Sequence, residues 1–387
     1  MKRSLLFVDP GEVGLVVAGT ALIAGTYGLV RLAYGLFLSD IQASLGLTSV
    51  QAGWVSSGAS VVYCMGALVG LVADSRPRLL VLAALVTAAL GAAGMALAPG
   101  SAAFVPAAIV SSAGAGLASP GLVGVVARSV PEGRRDRAQA IVNSGTGPGL
   151  VAAGALALVL LPDWRLGFAV GAVLTAAAGV LVLVLDRSGS TDPASAEPAT
   201  CLWRGLAALR APAVGALLLG AASAAVWTYG RAHLLAEGVG TTASTVAWMA
   251  LGVGGTATVV TASRQARLRP ARAWLLTSSG VAVTIAVLGP VTGLPAVAPT
   301  ACLLFGWAFV AATSALIAWA AQLVPDRAAA GTAMLFITLT LGQAVGSAVT
   351  GTIAEHGGLG LAFLVAASIA FVAAVCGRDG VSSRNAR

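Results

Sequence analysis

The stretch RPRLLVLAALVTAALGAAGMALAPG, residues 76–100, decides the fold. Residues 79–98 of this stretch carry no charged side chain. A helix that crosses the hydrocarbon core of a bilayer needs about 20 predominantly apolar residues, which this run supplies. Arg76 and Arg78 precede the run and no basic residue follows it closely. Since basic residues stay on the cytoplasmic side, the pattern predicts a helix that leaves the cytoplasm at Arg78.

The same alternation of apolar runs with basic and non-basic gaps continues along the whole chain. Three of the 22 basic residues, Arg31, Arg165 and Arg231, stand apart, and the others form clusters in alternate gaps. The chain is therefore predicted to cross the membrane twelve times, with both termini in the cytoplasm. The predicted spans are 13–38, 49–73, 79–98, 103–127, 138–161, 166–185, 212–236, 243–262, 273–290, 295–322, 328–354 and 359–376.

Composition agrees with an all-α membrane protein. The chain is 58% hydrophobic and only 9% charged, unlike an ordinary soluble domain. The apolar runs are too long and too regularly apolar for the strands of a barrel. The net charge of +8 follows the cytoplasmic gaps, so it indicates topology and not nucleic-acid binding. Four scattered cysteines and two histidines give no metal-site spacing, and we expect neither metal nor cofactor.

The longest polar interval, residues 186–211, divides the chain into two bundles of six spans, at 1–185 and 212–387. Trp54 recurs as Trp248, and Val130-Pro131 recurs as Val324-Pro325, both at an offset of 194 residues. Parallel six-helix repeats are typical of a large class of transporters. The interval is expected to be a cytoplasmic linker. Its second half predicts a short helix on the membrane surface, with one apolar face formed by Leu202, Leu206 and Leu209.

This plan, together with three local motifs, resembles the major facilitator superfamily over the whole chain. Residues 70–78 resemble the conserved loop Gly-x-Leu-Ala-Asp-Arg-x-Gly-Arg, with Ser75 and Pro77 departing from it. Residues 145–149, Gly-Thr-Gly-Pro-Gly, resemble the Gly-Pro motif of exporters. Residues 31–35 resemble the first span of bacterial drug-exporter-like or uncharacterised members. The resemblance implies a secondary transporter built from two pseudo-symmetric bundles, and not an enzyme.

The loop motif and the Gly-Pro motif supply the candidate gating residues. The resemblance implies that the loop docks on the other bundle near the start of the eleventh span. The alternative is that this loop only sets the membrane topology through its basic residues, and that Asp74 is simply exposed to solvent. Pro148 is expected to bend the fifth span. The gating candidates are Asp74, Arg76, Arg78, Gly147 and Pro148.

The candidate substrate site starts from Arg31, an arginine inside the first span. An arginine there costs about 2.5 kcal/mol or more unless it faces a cavity or reaches the surface. Tyr27, Arg31 and Tyr34 share one helical face, so we expect them to line a central cavity. Arg231 with Trp227 is the counterpart in the seventh span. Its alternatives are snorkelling to the membrane surface, which also applies to Arg31, and a rim ion pair with Glu237. Ser112, Asn143 and Trp307 are further candidates for the cavity lining. Each could equally be a contact between helices.

Proton coupling has few residues available, because no Asp or Glu lies in the middle of a predicted span. The candidates all lie near the outer mouth: Asp40, His233 and Glu237. An ordinary interface histidine is the alternative interpretation of His233.

The sequence predicts a secondary active transporter of the cytoplasmic membrane that moves a small organic molecule by alternating access. We expect a monomeric exporter, with proton-coupled antiport left open. An organic-anion uptake carrier or exchanger is the first alternative, and a non-transporting receptor is the second. A nucleotide-driven pump is excluded, because the lone lysine, Lys2, forms no phosphate-binding loop. No nucleophile or base is placed for catalysis, and the expected partners are the bilayer and the substrate.

Overall fold

The computed structural model describes residues 10–186, 206–290 and 296–376, and all regular structure within these ranges is helical. Within these described ranges, eleven helical runs are long and apolar enough to cross a membrane. The last run contains two helices. The spans are α1 (Pro10–Leu45), α2 (Ser49–Val72), α3 (Pro77–Leu97), α4 (Ser101–Ser129), α5 (Glu132–Leu160), α6 (Trp164–Leu185), α7 (Arg210–Ala236), α8 (Thr241–Gln265), α9 (Pro270–Leu288), α10 (Val297–Leu323), α11 (328–357) and α12 (359–375).

The chain reverses direction at Gly358, which divides α11 from α12. Gly358 has φ 83° and ψ 161°, a backbone conformation that favours glycine. Phe363 then stacks on His233 near the end of α7. Ten residues later, the carbonyl of Ala373 accepts a hydrogen bond from Trp274 near the start of α9. These two contacts lie at opposite ends of the bundle. Across the part of the chain that the structure describes, the predicted all-α fold with twelve spans is therefore confirmed.

Two predicted span boundaries were wrong. The first span was expected to end at residue 38, but α1 continues to Leu45. Gly46 then caps it in the left-handed conformation, with its N–H donating to Gln42 O. The fifth span was expected from residue 138, but α5 begins at Glu132, because its charged first turns stay helical outside the apolar run. Arg134 in these turns forms an ion pair with Glu12 of α1 at 2.8 Å.

Two spans depart from regular α-helix near the centre of the bundle. Ala24–Leu32 of α1 is a π-helical stretch, which widens the helix just before and at Arg31. Helix α5 is interrupted at Ser144 and Gly145, just before Pro148. A proline ring excludes the carbonyl four residues earlier from helical bonding, which explains a break at Ser144. The helix is thus interrupted next to Pro148, where the sequence predicts a bend.

The interval between the bundles is mostly outside the described residues. Leu206–Leu209 forms one 3₁₀ turn that leads directly into α7. Leu209 at its end is fully buried. The expected surface helix includes Leu202, which lies outside the described residues, and so that helix stays a prediction. We call α1–α6 the N-terminal half and α7–α12 the C-terminal half. Following the charge rule, the end that holds Arg78 is called cytoplasmic and the other end outer.

Small residues let α7 and α11 pack with their backbones in contact. A Cβ on Gly342 would overlap the carbonyl of Leu217, and one on Gly346 would overlap the carbonyl of Ala221. Close approach through small residues is the usual way that membrane helices associate, because lipid provides no hydrophobic driving force. The spacing Gly342-x-x-x-Gly346 is typical of such close helix packing, and both glycines take this part here.

Replacing Gly346 with Ala should therefore destabilise the C-terminal half. The added Cβ meets backbone that cannot rotate away, and the resulting shift costs about 1–3 kcal/mol. Thermal unfolding in detergent should show a lower midpoint for Gly346→Ala. The matched control is Gly133→Ala, since nothing lies within 4 Å of a Cβ at that helical position. Equal midpoints for the two variants would contradict the backbone contact.

Candidate functional site

A cavity lies where the two halves meet, about midway along the spans. In this conformation it leaves about 40 Å³ of free space for water-sized spheres. Helices α1, α2, α3 and α4 line one side, and α7 and α11 line the other. Its polar and aromatic lining residues are Arg31, Tyr34, Ser56, Ser60, Ser111, Ser112, Trp227, Thr228, Gln343 and Ser347. Arg31 is the only charged side chain among these lining residues.

Arg31 binds neutral groups from both halves. Its Nη2 donates to Ser60 Oγ at 3.4 Å and to Gln343 Oε1 at 3.3 Å. The guanidinium also lies 4.4 Å from the ring centroid of Tyr63, a cation–π contact. In the described part of the chain, no carboxylate lies within ion-pair distance of Arg31. The cavity therefore holds an arginine whose charge is not neutralised by the protein.

The outer side of the cavity is closed by hydroxyl groups from both halves. Ser56 of α2 bonds to Thr228 of α7 at 2.9 Å and to Ser347 of α11 at 3.0 Å. Thr228 and Ser347 are 3.2 Å apart, so the three hydroxyls form a closed triangle. Further out, Tyr229 donates to the carbonyl of Ser49 at 2.8 Å.

Arg231 belongs to this outer closure and not to the cavity lining. Its Nη1 bonds to Asp40 Oδ2 at 2.8 Å and to the carbonyl of Leu36 at 2.7 Å. Only 1% of its side chain is exposed. The sequence suggested the cavity or a rim pair with Glu237. The observed partner is on the other half, because Gly35 lets α1 approach the backbone of α7 at Trp227.

Glu355 makes a second cross-link at the outer end, and sequence reasoning missed it. Its Oε2 accepts from the backbone N–H of Ser49 at 2.9 Å and of Val50 at 3.4 Å. These are free N–H groups of the first turn of α2, where a negative charge is favourable. We call the residues that join the halves here the outer interface: Leu36, Asp40, Ser49, Val50, Ser56, Thr228, Tyr229, Arg231, Ser347 and Glu355.

The cytoplasmic side has a different arrangement. The Asp74 carboxylate is exposed and has no hydrogen-bond or ion-pair partner within the described ranges. Arg78 instead bonds within its own half, to the carbonyl of Asp186 at 2.7 Å. The buried Asp186 carboxylate also pairs closely with Arg128 and accepts from Ser129. The expected docking of the loop on α11 is absent in this conformation, and Asp186 holds the ends of α3, α4 and α6 together.

The distribution of contacts between the halves defines the conformation. The hydrogen bonds between them that the structure describes lie at Arg31 or outward of it, with one exception. That exception is a 3.7 Å contact from the Cys64 thiol to the carbonyl of Ile337. The molecule is therefore closed on its outer side.

The remaining sequence candidates fall into two groups. Tyr34, Ser112 and Trp227 line the cavity with Arg31. Tyr27 lies outside this lining. Its hydroxyl bonds at 3.0 Å to that of Tyr63, whose ring contacts Arg31. The others lie outside the lining: Asn143 is exposed beside Gln139, and Trp307 donates to Thr261.

Three further candidates have clear structural surroundings. A Cβ on Gly147 would overlap Thr256, so the Gly147–Pro148 segment lies against α8 of the other half. The buried His233 bonds through Nε2 to the carbonyls of Leu288 and Gly289 and stacks on Phe363. Glu237, one turn later, is 4.0 Å from its Nδ1. His233 thus connects α7, α9 and α12 within the C-terminal half.

Several residues that line the cavity or contact Arg31 were not proposed from the sequence, although a signal was present. Ser56, Ser60 and Tyr63 are spaced as i, i+4 and i+7, which places them on one face of α2. Ser347 was also missed, although it lies one helical turn after Gln343, which the sequence does offer as a polar cavity position. No cluster of His, Cys, Asp or Glu that could hold a metal ion occurs in the described ranges.

The two acids of the cytoplasmic side should respond differently to neutralisation. Asp186→Asn leaves the poorly exposed Arg128 without its ionic partner, which should cost about 3 kcal/mol. Asp74→Asn removes no contact of this conformation and should leave the thermal midpoint in detergent unchanged. If Asp74 docks on the other half when the cytoplasmic side closes, Asp74→Asn should still lose transport. Equal stability of the two variants would contradict the role given to Asp186.

Comparison with solved structures places this geometry among known transporters. The nucleoside transporter NupG superimposes with a TM-score of 0.79 at 14% identity, covering 97% of this chain and all of that chain. A POT family transporter in complex with 5-aminolevulinic acid gives 0.77 at 13% identity, covering 97% and 96%. A D-xylose–proton symporter gives 0.73 at 16% identity, covering 94% and 96%. At these identities the likeness concerns the fold alone.

Sequence comparison gives the family. No curated protein matches the chain. The model of the Major Facilitator Superfamily matches residues 20–337, which is most of the sequence. The chain therefore belongs to the Major Facilitator Superfamily, and it is a multi-pass membrane transporter rather than an enzyme.

Proposed function

We propose that this protein exports a small organic anion across the cytoplasmic membrane by alternating access, as a monomer with both termini in the cytoplasm. The observation that supports the substrate class best is Arg31. It is a cation in the cavity shared by both halves, and it has no carboxylate partner in the described ranges.

The electrostatics of the cavity favour an anion over a cation. Serine, threonine and glutamine side chains around Arg31 offer dipoles, but none carries a negative charge. A carboxylate or phosphate on the ligand could accept two N–H groups from the planar guanidinium. Hydrogen bonds to charged groups contribute about 1.5–3 kcal/mol each, so loss of this contact should be measurable. A cationic ligand would meet uncompensated repulsion.

The rest of the cavity suits an apolar or aromatic body. Its walls include Val55, Ala59 and Met95 on the N-terminal side and Ala224 on the other. The indole of Trp227 adds a large flat surface, held by edge contacts with Trp248, Phe305 and Phe309. Pockets of this kind bind the ligand body by burial and orient it with a few polar groups. A small organic acid with an apolar part fits both features.

The closed outer interface supports an alternating-access cycle. Moving a ligand from this cavity to the outside requires that the bonds of the outer interface break while contacts form on the cytoplasmic side. The exposed loop with Asp74 is the available partner for the second step. Export is the direction we propose, on the resemblance of Gly145–Gly149 to exporter sequences. An uptake carrier or exchanger would use the same cavity.

Replacing Arg31 should weaken anion binding specifically. A panel of organic anions, neutral compounds and lipophilic cations can be screened by thermal shift on protein purified in detergent. A ligand at 100 times its Kd stabilises by about 2.7 kcal/mol, which raises the midpoint visibly. We expect hits among the anions, and at least ~10-fold weaker binding in Arg31→Gln, equivalent to one lost charged hydrogen bond.

Arg165→Gln is the matched control, because Arg165 contacts Ala98 and Trp164 away from the cavity. It should bind anions like the wild type. Hits among cations, or anion binding that Arg31→Gln leaves unchanged, would contradict the substrate class. Flux of the best anion, measured in inverted membrane vesicles and in right-side-out vesicles, then tests the direction. Binding without flux in either preparation would favour a receptor.

A further inference from the structure

A cluster of basic side chains lies at the cytoplasmic ends of α8 and α9. Its four arginines fall within nine residues of the chain, and all of them are exposed. They are Arg264, Arg267, Arg269 and Arg272, and we call them the arginine cluster. In the described part of the chain, none of their guanidinium groups takes part in an ion pair or a hydrogen bond.

The helices around the cluster supply no negative charge to it. Residues 238–325 contain no Asp or Glu, so α8, α9 and α10 carry no acidic side chain. Elsewhere at the cytoplasmic end, Arg128 pairs with the buried Asp186. The charge rule for membrane topology explains why arginines lie at this end of the molecule. It does not explain why the arginine cluster has no acidic partners.

Two of the arginines lie where a positive charge is unfavourable. Arg269 is the N-cap residue of α9, and Arg272 lies in its first turn. The N-terminus of a helix carries a partial positive charge from its free N–H groups, so a cation there is repelled. The first turn of α9 holds no acidic residue. At the start of α2, by contrast, Glu355 provides a negative charge. An anion from outside the protein would relieve the repulsion at the start of α9.

The turn that carries the cluster is fixed to the rest of the molecule. Gln265 Nε2 donates to the carbonyl of Ala311 on α10 at 2.6 Å. Leu268 packs against the hydrophobic core, and Ala271 is buried. The backbone that holds the four arginines is therefore already ordered before an anion binds, which lowers the entropic cost of binding.

Apolar side chains next to the cluster place it at the level of the lipid headgroups. Val260 on α8 is 80% exposed, and it shares a helical face with Arg264, four residues later. Leu276 on α9 is 54% exposed, four residues after Arg272 on the same face. Four residues correspond to about 6 Å of helix. Exposed apolar side chains on a span contact lipid tails, so the arginines lie just beyond the tails on both helices.

We propose that the arginine cluster binds the phosphate headgroup of an anionic lipid, whose acyl chains lie along Val260 and Leu276. Basic clusters directly cytoplasmic of a span attract anionic headgroups. A planar guanidinium can bind two phosphate oxygens at once. The apolar surfaces on α8 and α9 favour a lipid over a soluble phosphate compound. This site lies outside the cavity and is independent of the substrate proposed for Arg31.

Native mass spectrometry of the full chain in a neutral detergent tests the proposal. The protein is titrated with phosphatidylglycerol or with phosphatidylcholine. Both lipids carry a phosphate, but only phosphatidylglycerol has a net negative charge. The wild type should bind phosphatidylglycerol more tightly. In Arg269→Gln/Arg272→Gln this binding should weaken by about 25-fold, because each arginine near the membrane surface contributes about fivefold. Binding of phosphatidylcholine should not change.

Arg135→Gln/Arg137→Gln is the matched control. It also removes two exposed arginines of the cytoplasmic end, but Glu132 and Asp136 lie in the same helical turns. This variant should bind phosphatidylglycerol like the wild type. Thermal unfolding in the same detergent checks that both double variants fold. Arg272→Gln alone should weaken binding by about fivefold, which gives a second and milder test.

Three results would overturn the proposal. The first is equal affinity of the wild type for the two lipids. The second is unchanged binding of phosphatidylglycerol in Arg269→Gln/Arg272→Gln. The third is displacement of phosphatidylglycerol by millimolar inorganic phosphate at constant ionic strength, which would make the cluster a site for a soluble anion. Each of these results would leave the assignment of Arg31 to substrate binding untouched.

Discussion

The ion pair between Arg231 and Asp40 is the constraint on which the closed conformation depends. A guanidinium buried inside a membrane helix needs an acceptor, since an unpaired charge there costs several kcal/mol. In this protein the acceptors, Asp40 and the carbonyl of Leu36, belong to the other half. Closing the outer side is therefore the way in which Arg231 satisfies its hydrogen bonds. The bond between Glu355 and the start of α2 adds a second, oppositely directed connection.

Arg31 and Arg231, the two arginines inside the spans, have different roles because their surroundings differ. Arg231 is fully buried and neutralised, and so it joins helices. Arg31 lies on the π-helical stretch of α1, faces the cavity, and contacts only neutral groups. Local departures from α-helix are frequent at functional sites, because they turn side chains out of the regular helical positions. The charge that the protein leaves uncompensated is thus at the place where a ligand can compensate it.

Much of the architecture could be predicted because the membrane imposes strong one-dimensional rules. Apolar length gave the spans, and the positions of basic residues gave their order and number. The importance of Arg31 followed from the cost of a charge in a span. The side-chain contacts at the cytoplasmic and outer ends were harder to predict from the sequence. Asp186 acts through Arg128, which is 58 positions away, and Glu355 acts through Ser49, which is 306 positions away. Nothing in their local sequence identifies Arg128 or the α2 N-terminus as partners. The gating role predicted for Asp74 stays a prediction, because it concerns a conformation other than the one that is closed on the outer side.

Alternating access requires that the outer interface separates in every transport cycle. Ser56→Cys/Thr228→Cys tests this most directly, since the two hydroxyl oxygens are 2.9 Å apart and the thiols can form a disulfide. The measurement is flux, in membrane vesicles, of the anion that binds at Arg31, before and after oxidation, with each single cysteine variant as control. Oxidation should abolish flux in the double variant alone, and reduction should restore it. Undiminished flux through the fully oxidised double variant would contradict alternating access at this interface.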